Sequence, residues 1–170
     1  MISAIGRPTE TIFYDEMVHA SLHDGMQLSK AKCISFSHND LNDLRSKMEQ
    51  AEGNLIVVVE ALYSMDGDFS PLSELVELCK EFKANLVVDE AHAVGVYGPN
   101  GSGRVVEFSL ENDVFARVVT FGKALGCHGA IVLGSPLVRD YLVNYARSFI
   151  FTTAAPLHTL ISVKCAYDML

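Results

Sequence analysis

The heptapeptide Asn54-Leu-Ile-Val-Val-Val-Glu60 is an apolar run, rich in β-branched residues, between two polar ends. Such a run is typical of a β-strand buried on both faces, as in a parallel sheet covered by helices on each side. Residues 84–90 repeat the pattern and end on two carboxylates, Asp89 and Glu90. Since helical patterns separate the apolar runs, the sequence predicts βαβ units and an α/β fold with a mostly parallel central sheet and helices on both faces.

Apolar periodicity and turn residues predict the remaining elements. Further strands are expected at residues 11–14, 33–36, 114–120, 129–133 and 149–151. Helices are expected at residues 16–25, 41–51, 71–82, 136–146 and from 156 onward. Gly25 is expected to be a C-cap, and Pro71 is expected at the first helical position. The glycine-rich residues 95–103 are expected to form a long loop.

Composition narrows the class of protein. The 170 residues suffice for one domain, and 49% hydrophobic residues with a mean hydropathy of +0.23 are typical of a globular protein. A net charge of -8 without a basic block argues against a nucleic-acid partner. The apolar runs are too short to span a membrane and no signal segment is visible, so a cytoplasmic protein is expected. The four cysteines form no Cys-x-x-Cys pair, which argues against a disulfide framework or a metal site.

Polar residues follow three of the predicted strands: Glu60 and Ser64, then Asp89 and His92, then Lys123. Ligands of such sheets bind outside the carboxyl ends of the strands. Lys123 lies on a glycine-flanked turn between apolar runs, so its amine is expected to point into a pocket. Burial there would lower its pKa and make it a nucleophile that can form a Schiff base. The alternative is a lysine that marks a strand end on the surface.

Asp89 ends a fully apolar strand and therefore needs a cationic partner, which can be a metal, a lysine or a protonated heterocycle. The absence of histidine or cysteine pairs at ligand spacing makes a metal the minor option. Pyridoxal phosphate requires a lysine, a carboxylate for its ring nitrogen and hydroxyls or backbone amides for its phosphate. Asp89, Lys123 and Thr120 supply one group of each kind. A capping carboxylate remains the alternative role for Asp89.

Seven spaced motifs occur in one order along nearly the whole chain: Asp15-x-x-x-His-Ala-Ser21, Phe36-x-His-Asn-Asp40, Glu60-x-x-Tyr-Ser-Met-Asp-Gly-Asp68, Val88-Asp-Glu-Ala-His92, Gly95-x-x-Gly98, Thr120-Phe-Gly-Lys-Ala124 and Phe151-Thr-Thr-Ala154. Together they resemble the α-oxoamine synthases, which are fold-type I pyridoxal phosphate enzymes. The resemblance implies pyridoxal 5'-phosphate as cofactor.

The resemblance also implies roles for the residues that carry it. Lys123 would be the Schiff-base lysine and would shuttle the substrate α-proton. Asp89 would face the ring nitrogen, His92 would hydrogen-bond the phenolic oxygen of the ring, and His19 would stack on the ring face. Glu60 and His38 would be structural or supporting residues.

Four hydroxyl residues would also contact the cofactor: Ser64, Thr120, Thr152 and Thr153. The resemblance assigns Ser64 to the cofactor or the substrate adduct, with a turn hydroxyl as its alternative role, and assigns Thr120 to the phosphate. Thr152 or Thr153 would reach the phosphate of the partner subunit's cofactor, which implies a homodimer with the cofactor site at the interface.

Members of this family condense a small amino acid with an acyl-CoA thioester and release CoA and, usually, carbon dioxide. Residues 120–135, with Gly129-Ala130 where other members carry paired glycines, are most similar to the members of biotin synthesis that use alanine. Family members are much longer, so residues 1–170 are expected to be the central, large cofactor-binding domain without an N-terminal segment and a C-terminal small domain.

Three alternatives stay open from the sequence. The chain can be another member of the family, which uses glycine or serine, or a cofactor-binding fragment with an incomplete catalytic site. A doubly wound nucleotide-binding or redox domain is the third, and the absence of a G-x-G-x-x-G motif after a first strand argues against it.

Overall fold

A six-stranded sheet forms the centre of the computed structural model, which describes residues 1–170. Its strands are β1 (Glu10–Asp15), β2 (Lys32–Phe36), β3 (Asn54–Glu60), β4 (Asn85–Asp89), β5 (Ala116–Thr120) and β6 (Ala130–Gly134). Their order in the sheet is β2-β1-β3-β4-β5-β6. All neighbouring pairs are parallel except β5 and β6, which are antiparallel. The predicted α/β fold with a mostly parallel sheet is confirmed.

Eight helices accompany the sheet: α1 (Ile2–Ile5), α2 (Ala20–Gln27), α3 (Leu41–Met48), α4 (Leu72–Phe82), α5 (Arg104–Glu107), α6 (Pro136–Tyr145), α7 (Arg147–Ile150) and α8 (Leu157–Asp168). A short 3₁₀ helix at Pro99–Gly101 lies within the glycine-rich loop. No helix combines the length and the apolar content needed to cross a bilayer.

Alternating residues of β3 build two hydrophobic cores, one on each face of the sheet. Val57 and Val59 lie in a cluster with apolar residues of α3 and α4. Ile56 and Val58 lie in the opposite cluster with residues of α1 and α2. Each of these four side chains is at most 3% exposed, and full burial of such a side chain stabilises a fold by about 1.5–3 kcal/mol. The continuous apolar run therefore corresponds to a strand that is covered on both faces.

Two of the predicted element assignments were wrong. Residues 16–19, predicted as helix, form a turn instead, because the Asp15 carboxylate accepts a hydrogen bond from the backbone N–H of Met17 at 2.9 Å. Residues 149–151, predicted as a strand, lie largely in α7, where the N–H groups of Phe149 and Ile150 donate to the Ala146 carbonyl. Local hydrogen bonds thus satisfy the backbone of both segments.

Two boundary details also differ from the prediction. Gly25 lies inside α2 and not at its C-cap, and an added Cβ there would lie 3.0 Å from Cβ of Ile2. Glycine at this position thus permits close packing of α1 on α2. Pro71 is the N-cap of α4 and not its first residue. The strand predicted at 129–133 is confirmed as β6, which is an antiparallel edge strand and largely exposed.

Candidate active site

The candidate site lies at the carboxyl edge of the sheet, where β3, β4 and β5 end side by side. The register pairs Glu60 with Asp89 and Asp89 with Val118, and β5 continues to Thr120 before the turn that carries Lys123. Burial raises the pKa of both carboxyl groups, and the charge of Lys123 acts in the opposite direction on each, so its amine lies within electrostatic reach of them. The structure thus brings the predicted lysine and the predicted carboxylate to one edge.

Asp89 is a buried carboxyl group, 9% exposed, at the end of β4. It accepts a hydrogen bond from the Ala91 backbone N–H at 2.9 Å. Burial raises its pKa above the usual value, while the Ala91 hydrogen bond and the charges of Lys123, His19 and His92 act in the opposite direction. The ionised form of a carboxyl group in this environment is stabilised most by a cation that faces it, because a partner charge offsets the loss of solvation.

Glu60 is a second buried carboxyl group, 3% exposed, beside Asp89. Its Oε1 accepts a hydrogen bond from the His19 backbone N–H at 2.5 Å. Burial raises the pKa of Glu60 to about 7; the His19 bond and Lys123 lower it, and the like charges of Asp89 and Asp15 raise it. Glu60 was expected to have a structural or supporting role, although it ends an apolar strand in the same way as Asp89. That shared pattern was the signal for a second site carboxyl group.

Two histidines face the same edge. His19 is the N-cap of α2, and its Nδ1 accepts from the Ser21 backbone N–H at 3.2 Å and lies 2.9 Å from the Ser21 hydroxyl. These contacts hold the exposed ring at the rim of the edge. His92 is half-buried after β4, and its pKa is lowered by burial and by the charge of Lys123, while Asp89 acts to raise it. The charges of both rings act on the pKa of Asp89, so both rings lie near that carboxyl group.

Lys123 lies on a tight turn after β5. The Gly126 N–H donates to the Lys123 carbonyl at 2.9 Å, and the Cys127 N–H donates to the Phe121 carbonyl at 2.7 Å. The expectation that the lysine points into a pocket was wrong for the chain by itself, because Lys123 is exposed. Phe121 and Leu125 of the turn pack with Ala166 and Tyr167 of α8, but the Lys123 side chain stays outside this contact.

The glycine-rich loop supports the lysine turn. Gly95 has a φ of +87°, and an added Cβ there would lie 2.6 Å from Cβ of Ala124, beside Lys123. The loop is anchored from below by Glu90 and Arg117, a buried ion pair with Nε to Oε2 at 2.6 Å. Arg117 also donates from Nη2 to the Ser102 carbonyl at 2.7 Å. Glycine at position 95 therefore permits a backbone approach that fixes the base of the turn.

The predicted hydroxyl residues fall into two groups. Thr120 ends β5, and its Oγ1 is buried without a hydrogen-bond partner, an arrangement that is unfavourable unless a ligand or water completes it. Ser64 is exposed on the loop after β3, and Thr152 and Thr153 are exposed between α7 and α8. No hydrogen bond links these three residues to the strand-end cluster.

The groups at this edge could together hold a phosphorylated, aldehyde-bearing heterocycle. An amine, a buried carboxyl group for a ring cation and an unpartnered hydroxyl for a phosphate are the three donor types that such a molecule requires.

Comparison with known proteins defines the class. A family model described as aminotransferase class I and II matches residues 1–163, and the chain belongs to that family. An 8-amino-7-oxononanoate synthase of Emericella nidulans is 46% identical over 185 residues, covering 100% of this chain and 45% of the relative. An 8-amino-7-oxononanoate synthase of Marinobacter nauticus is 44% identical over 167 residues, covering 98% of this chain and 42% of the relative.

A solved serine palmitoyltransferase from S. paucimobilis, with a bound PLP–myriocin aldimine, superposes with a TM-score of 0.92 at 33% identity, covering 98% of this chain and 42% of that chain. These similarities confirm the resemblance to the α-oxoamine synthases. The chain spans less than half the length of these two curated relatives.

Proposed function

We propose that the chain forms the cofactor-binding part of a pyridoxal-phosphate-dependent acyltransferase. The reaction proposed is condensation of a small amino acid, with alanine favoured, and an acyl-CoA thioester, with loss of CoA and carbon dioxide, as in 8-amino-7-oxononanoate synthase of biotin synthesis. The observation that carries the proposal is the juxtaposition of Lys123 with the buried Asp89 at the carboxyl edge. The identities of 44% and 46% with relatives of that name support the choice of substrates.

The residues present fit pyridoxal 5'-phosphate. When bound, this cofactor supplies a protonated ring that withdraws electrons from the α-carbon of an amino acid. Asp89 would hold the proton on the ring nitrogen, and the buried, unpartnered Oγ1 of Thr120 would donate to the phosphate. Lys123 Nζ would bind the aldehyde carbon and, when the amino acid displaces it, would accept the α-proton.

Glu60 supports the charge that Asp89 must carry. Two adjacent buried carboxyl groups do not ionise together easily. Since the pKa of Glu60 is raised to about 7, Glu60 can hold the proton near neutral pH while Asp89 stays ionised opposite a ring cation. The same carboxyl group holds the backbone of His19 through its 2.5 Å hydrogen bond, which orients the residue proposed to stack on the ring.

The remaining residues would complete the site. His92 would donate to the phenolic oxygen of the ring, and Ser64 would contact the cofactor or the bound amino acid. Thr152 or Thr153 would reach the phosphate in a partner subunit. The proposed homodimer is supported by large apolar side chains that stay exposed in and around α7 and α8: Phe149, Phe151, Leu157, Leu160 and Ile161. Exposed apolar clusters of this kind are typical of interfaces.

A second candidate is another α-oxoamine synthase, of the serine palmitoyltransferase or 2-amino-3-ketobutyrate CoA ligase type. The TM-score of 0.92 with a serine palmitoyltransferase favours it, and the higher identity with the oxononanoate synthases argues for alanine. A third candidate, favoured by the exposure of Lys123, is a chain that binds the cofactor but does not turn over.

The test is an absorbance titration of the purified chain with pyridoxal phosphate, before and after borohydride reduction. We expect a visible band that reduction converts into a covalent adduct, and peptide mapping should locate the adduct at Lys123. Lys123→Ala should abolish it, whereas Lys164→Ala, at an exposed lysine of α8, should not. A band of equal intensity in Lys123→Ala would refute the assignment.

Product formation then separates the candidates. Alanine, glycine and serine are supplied one at a time with pimeloyl-, acetyl- and palmitoyl-CoA, and CoA release is measured. Turnover with alanine and pimeloyl-CoA supports the main proposal, and turnover with serine and palmitoyl-CoA supports the second. A covalent adduct at Lys123 without CoA release from any pair supports the third.

A further inference from the structure

We propose that His38 is a positioning residue that latches two loops of the site together. Its imidazole connects the end of β1, which leads to His19, with the loop after β3, which carries Ser64. This inference rests on the proposed function, because it takes His19 and Ser64 to be residues of the cofactor site.

The latch consists of two hydrogen bonds from one ring. His38 Nδ1 lies 2.8 Å from Asp15 Oδ1, and Nε2 lies 2.7 Å from Asp68 Oδ2. Asn39 Nδ2 lies 3.2 Å from Nε2 and donates to the same Asp68 oxygen. Ionised carboxylates only accept hydrogen bonds, and a neutral imidazole carries a single N–H. Both bonds therefore form together only when the ring is protonated. Asp15 is 0% exposed, so the loss of its bond would leave a buried carboxylate less well satisfied.

Asp15 controls the segment that ends at His19. Its Oδ1 also accepts from the Met17 backbone N–H at 2.9 Å, and its Oδ2 accepts from the Asn39 backbone N–H at 2.9 Å. These bonds stabilise the turn that replaces the predicted helix start at residue 16. His19 follows this turn directly as the N-cap of α2. The position of the His19 ring therefore depends on Asp15.

Asp68 controls the segment that carries Ser64. Its backbone carbonyl accepts from the Tyr63 N–H at 3.0 Å, which closes the loop. Its Oδ2 accepts from the Asn39 side chain at 3.0 Å as well as from His38. The Tyr63 ring packs on the His38 ring edge to face, with centroids 4.5 Å apart. A shift of His38 would thus move the loop on both sides of Ser64.

The charges around His38 favour the protonated ring. Burial lowers the pKa of His38, but the hydrogen bonds and charges of Asp15 and Asp68 raise it by a larger amount. The pKa of His38 is therefore higher than its usual value. The titratable groups that face the latch from the packed elements are Asp15 and Glu16 from β1 and its turn, Glu60 from the end of β3, Tyr63 and Asp68 from the loop after β3, and Asp40 and Asp43 from the N-cap and first turn of α3. Glu16 accepts from the His38 backbone N–H at 3.0 Å, and lysine side chains do not contact the ring.

The pH dependence of the latch has a definite sign. Because the pKa of His38 is higher in the folded chain than its unfolded value of 6.5, the latch is fully formed below that value. It is lost as pH rises through the pKa of the folded state. The loops that carry His19 and Ser64 should therefore become more mobile toward alkaline pH.

The experiment measures amide hydrogen exchange in the chain without added cofactor, over about pH 5 to 9, as protection factors corrected for intrinsic rates. We expect the amides of residues 15–19 and 63–69 to lose roughly tenfold in protection across the titration of His38, the scale of a hydrogen bond to a charged group. Both chains carry Glu60→Gln, because Glu60 bonds the His19 N–H and has a pKa of about 7, so that its own titration does not contribute. In this background His38→Gln should show low protection at every pH and no such step. Asp68→Asn, at a partly exposed carboxylate, should lower the pKa of His38 followed by NMR.

The control is His158→Gln, which removes an exposed histidine of α8 and should leave the wild-type step unchanged. A step of wild-type size in His38→Gln, or an unchanged pKa of His38 in Asp68→Asn, would refute the latch.

The consequence for the site is measured separately, as the dissociation constant for pyridoxal phosphate. In wild type, affinity for pyridoxal phosphate should decline toward alkaline pH as the latch is lost. His38→Gln should weaken binding several-fold and should not show this decline. If wild type forms no adduct at Lys123, the proposed function fails, while hydrogen exchange still decides the latch. If wild type binds the cofactor and His38→Gln binds it with the same affinity and pH profile, the positioning role fails and the proposed function stands.

Discussion

Glu60 and Asp89 are direct register partners across β3 and β4, so two buried carboxyl groups stand side by side at the carboxyl edge of the sheet. One of them has a pKa of about 7, and the charge of Lys123 acts on both. Paired carboxyl groups in which one holds a proton are a recurrent feature of sites that bind cations and move protons.

Replacement of Glu60 by glutamine should change how stability depends on pH. The pKa of Glu60 rises from 4.5 to about 7 on folding, so folding favours the protonated form. Its contribution to the free energy of unfolding is complete below pH 4.5 and is lost as pH rises to about 7. Glu60→Gln, which keeps an acceptor for the His19 N–H, should remove this decline of roughly 2–3 kcal/mol.

The measurement is urea unfolding at a series of pH values, with Glu111→Gln, at an exposed carboxylate, as the matched control. A wild-type decline that persists unchanged in Glu60→Gln would contradict the raised pKa.

Replacement of Asp89 by asparagine should separate cofactor binding from proton transfer. The amide oxygen of the new side chain would still accept the Ala91 N–H, but a neutral amide would not stabilise a protonated ring, so the adduct at Lys123 should still form. Exchange of the alanine α-proton with deuterium, followed by NMR, should slow by about 100-fold or more, the scale of losing a preorganised charge. Asp140→Asn, at an exposed carboxylate, is the control, and equal exchange rates in the two variants would exclude the role of Asp89.

Replacement of Thr120 by valine should reduce affinity for the phosphate without destabilising the chain. The Thr120 hydroxyl is buried without a partner, so its removal should leave the free energy of unfolding equal or slightly higher. The dissociation constant for pyridoxal phosphate should rise about tenfold, the scale of a hydrogen bond to a charged group, whereas that for unphosphorylated pyridoxal should not change.

The control is Thr11→Val. The Thr11 hydroxyl donates to the Glu52 carbonyl at 3.4 Å, so this variant should lose stability and keep its affinity. An equal loss of affinity for both ligands in Thr120→Val would mean that the hydroxyl does not contact the phosphate.

Replacement of Gly95 by alanine should disturb the lysine turn. Gly95 and Gly67 both have positive φ, +87° and +74°, so alanine at either position should cost about 1–2 kcal/mol of stability through backbone strain. An added Cβ at position 95 would also lie 2.6 Å from Ala124, whereas position 67 has no atom within 4 Å. Only Gly95→Ala should therefore slow adduct formation at Lys123, measured as the growth of the absorbance band. Equal rates in the two variants would show that the contact with Ala124 does not position the turn.

The sequence by itself determined the core of the fold. The runs at 54–60 and 84–90 predicted strands buried on both faces, and both are central strands of the sheet. Because parallel strands place their carboxyl ends at one edge, the sequence also predicted that Asp89 and Lys123 would meet. These features could be predicted because burial on two faces requires a continuous apolar run, a signal that is local in the sequence.

Only the tertiary structure decided the features that depend on contacts between distant segments. The antiparallel direction of β6, the helical course of residues 147–150 and the exposure of Lys123 follow from which surfaces this chain can cover. The raised pKa of Glu60 arises from burial and from neighbours contributed by other strands and loops. The His38 latch joins His38 to Asp15, which is 23 positions away in the sequence, and to Asp68, which is 30 positions away. The sequence contains each of these groups, but solvation and hydrogen bonding act through space, so their protonation and orientation depend on neighbours that only the folded chain supplies.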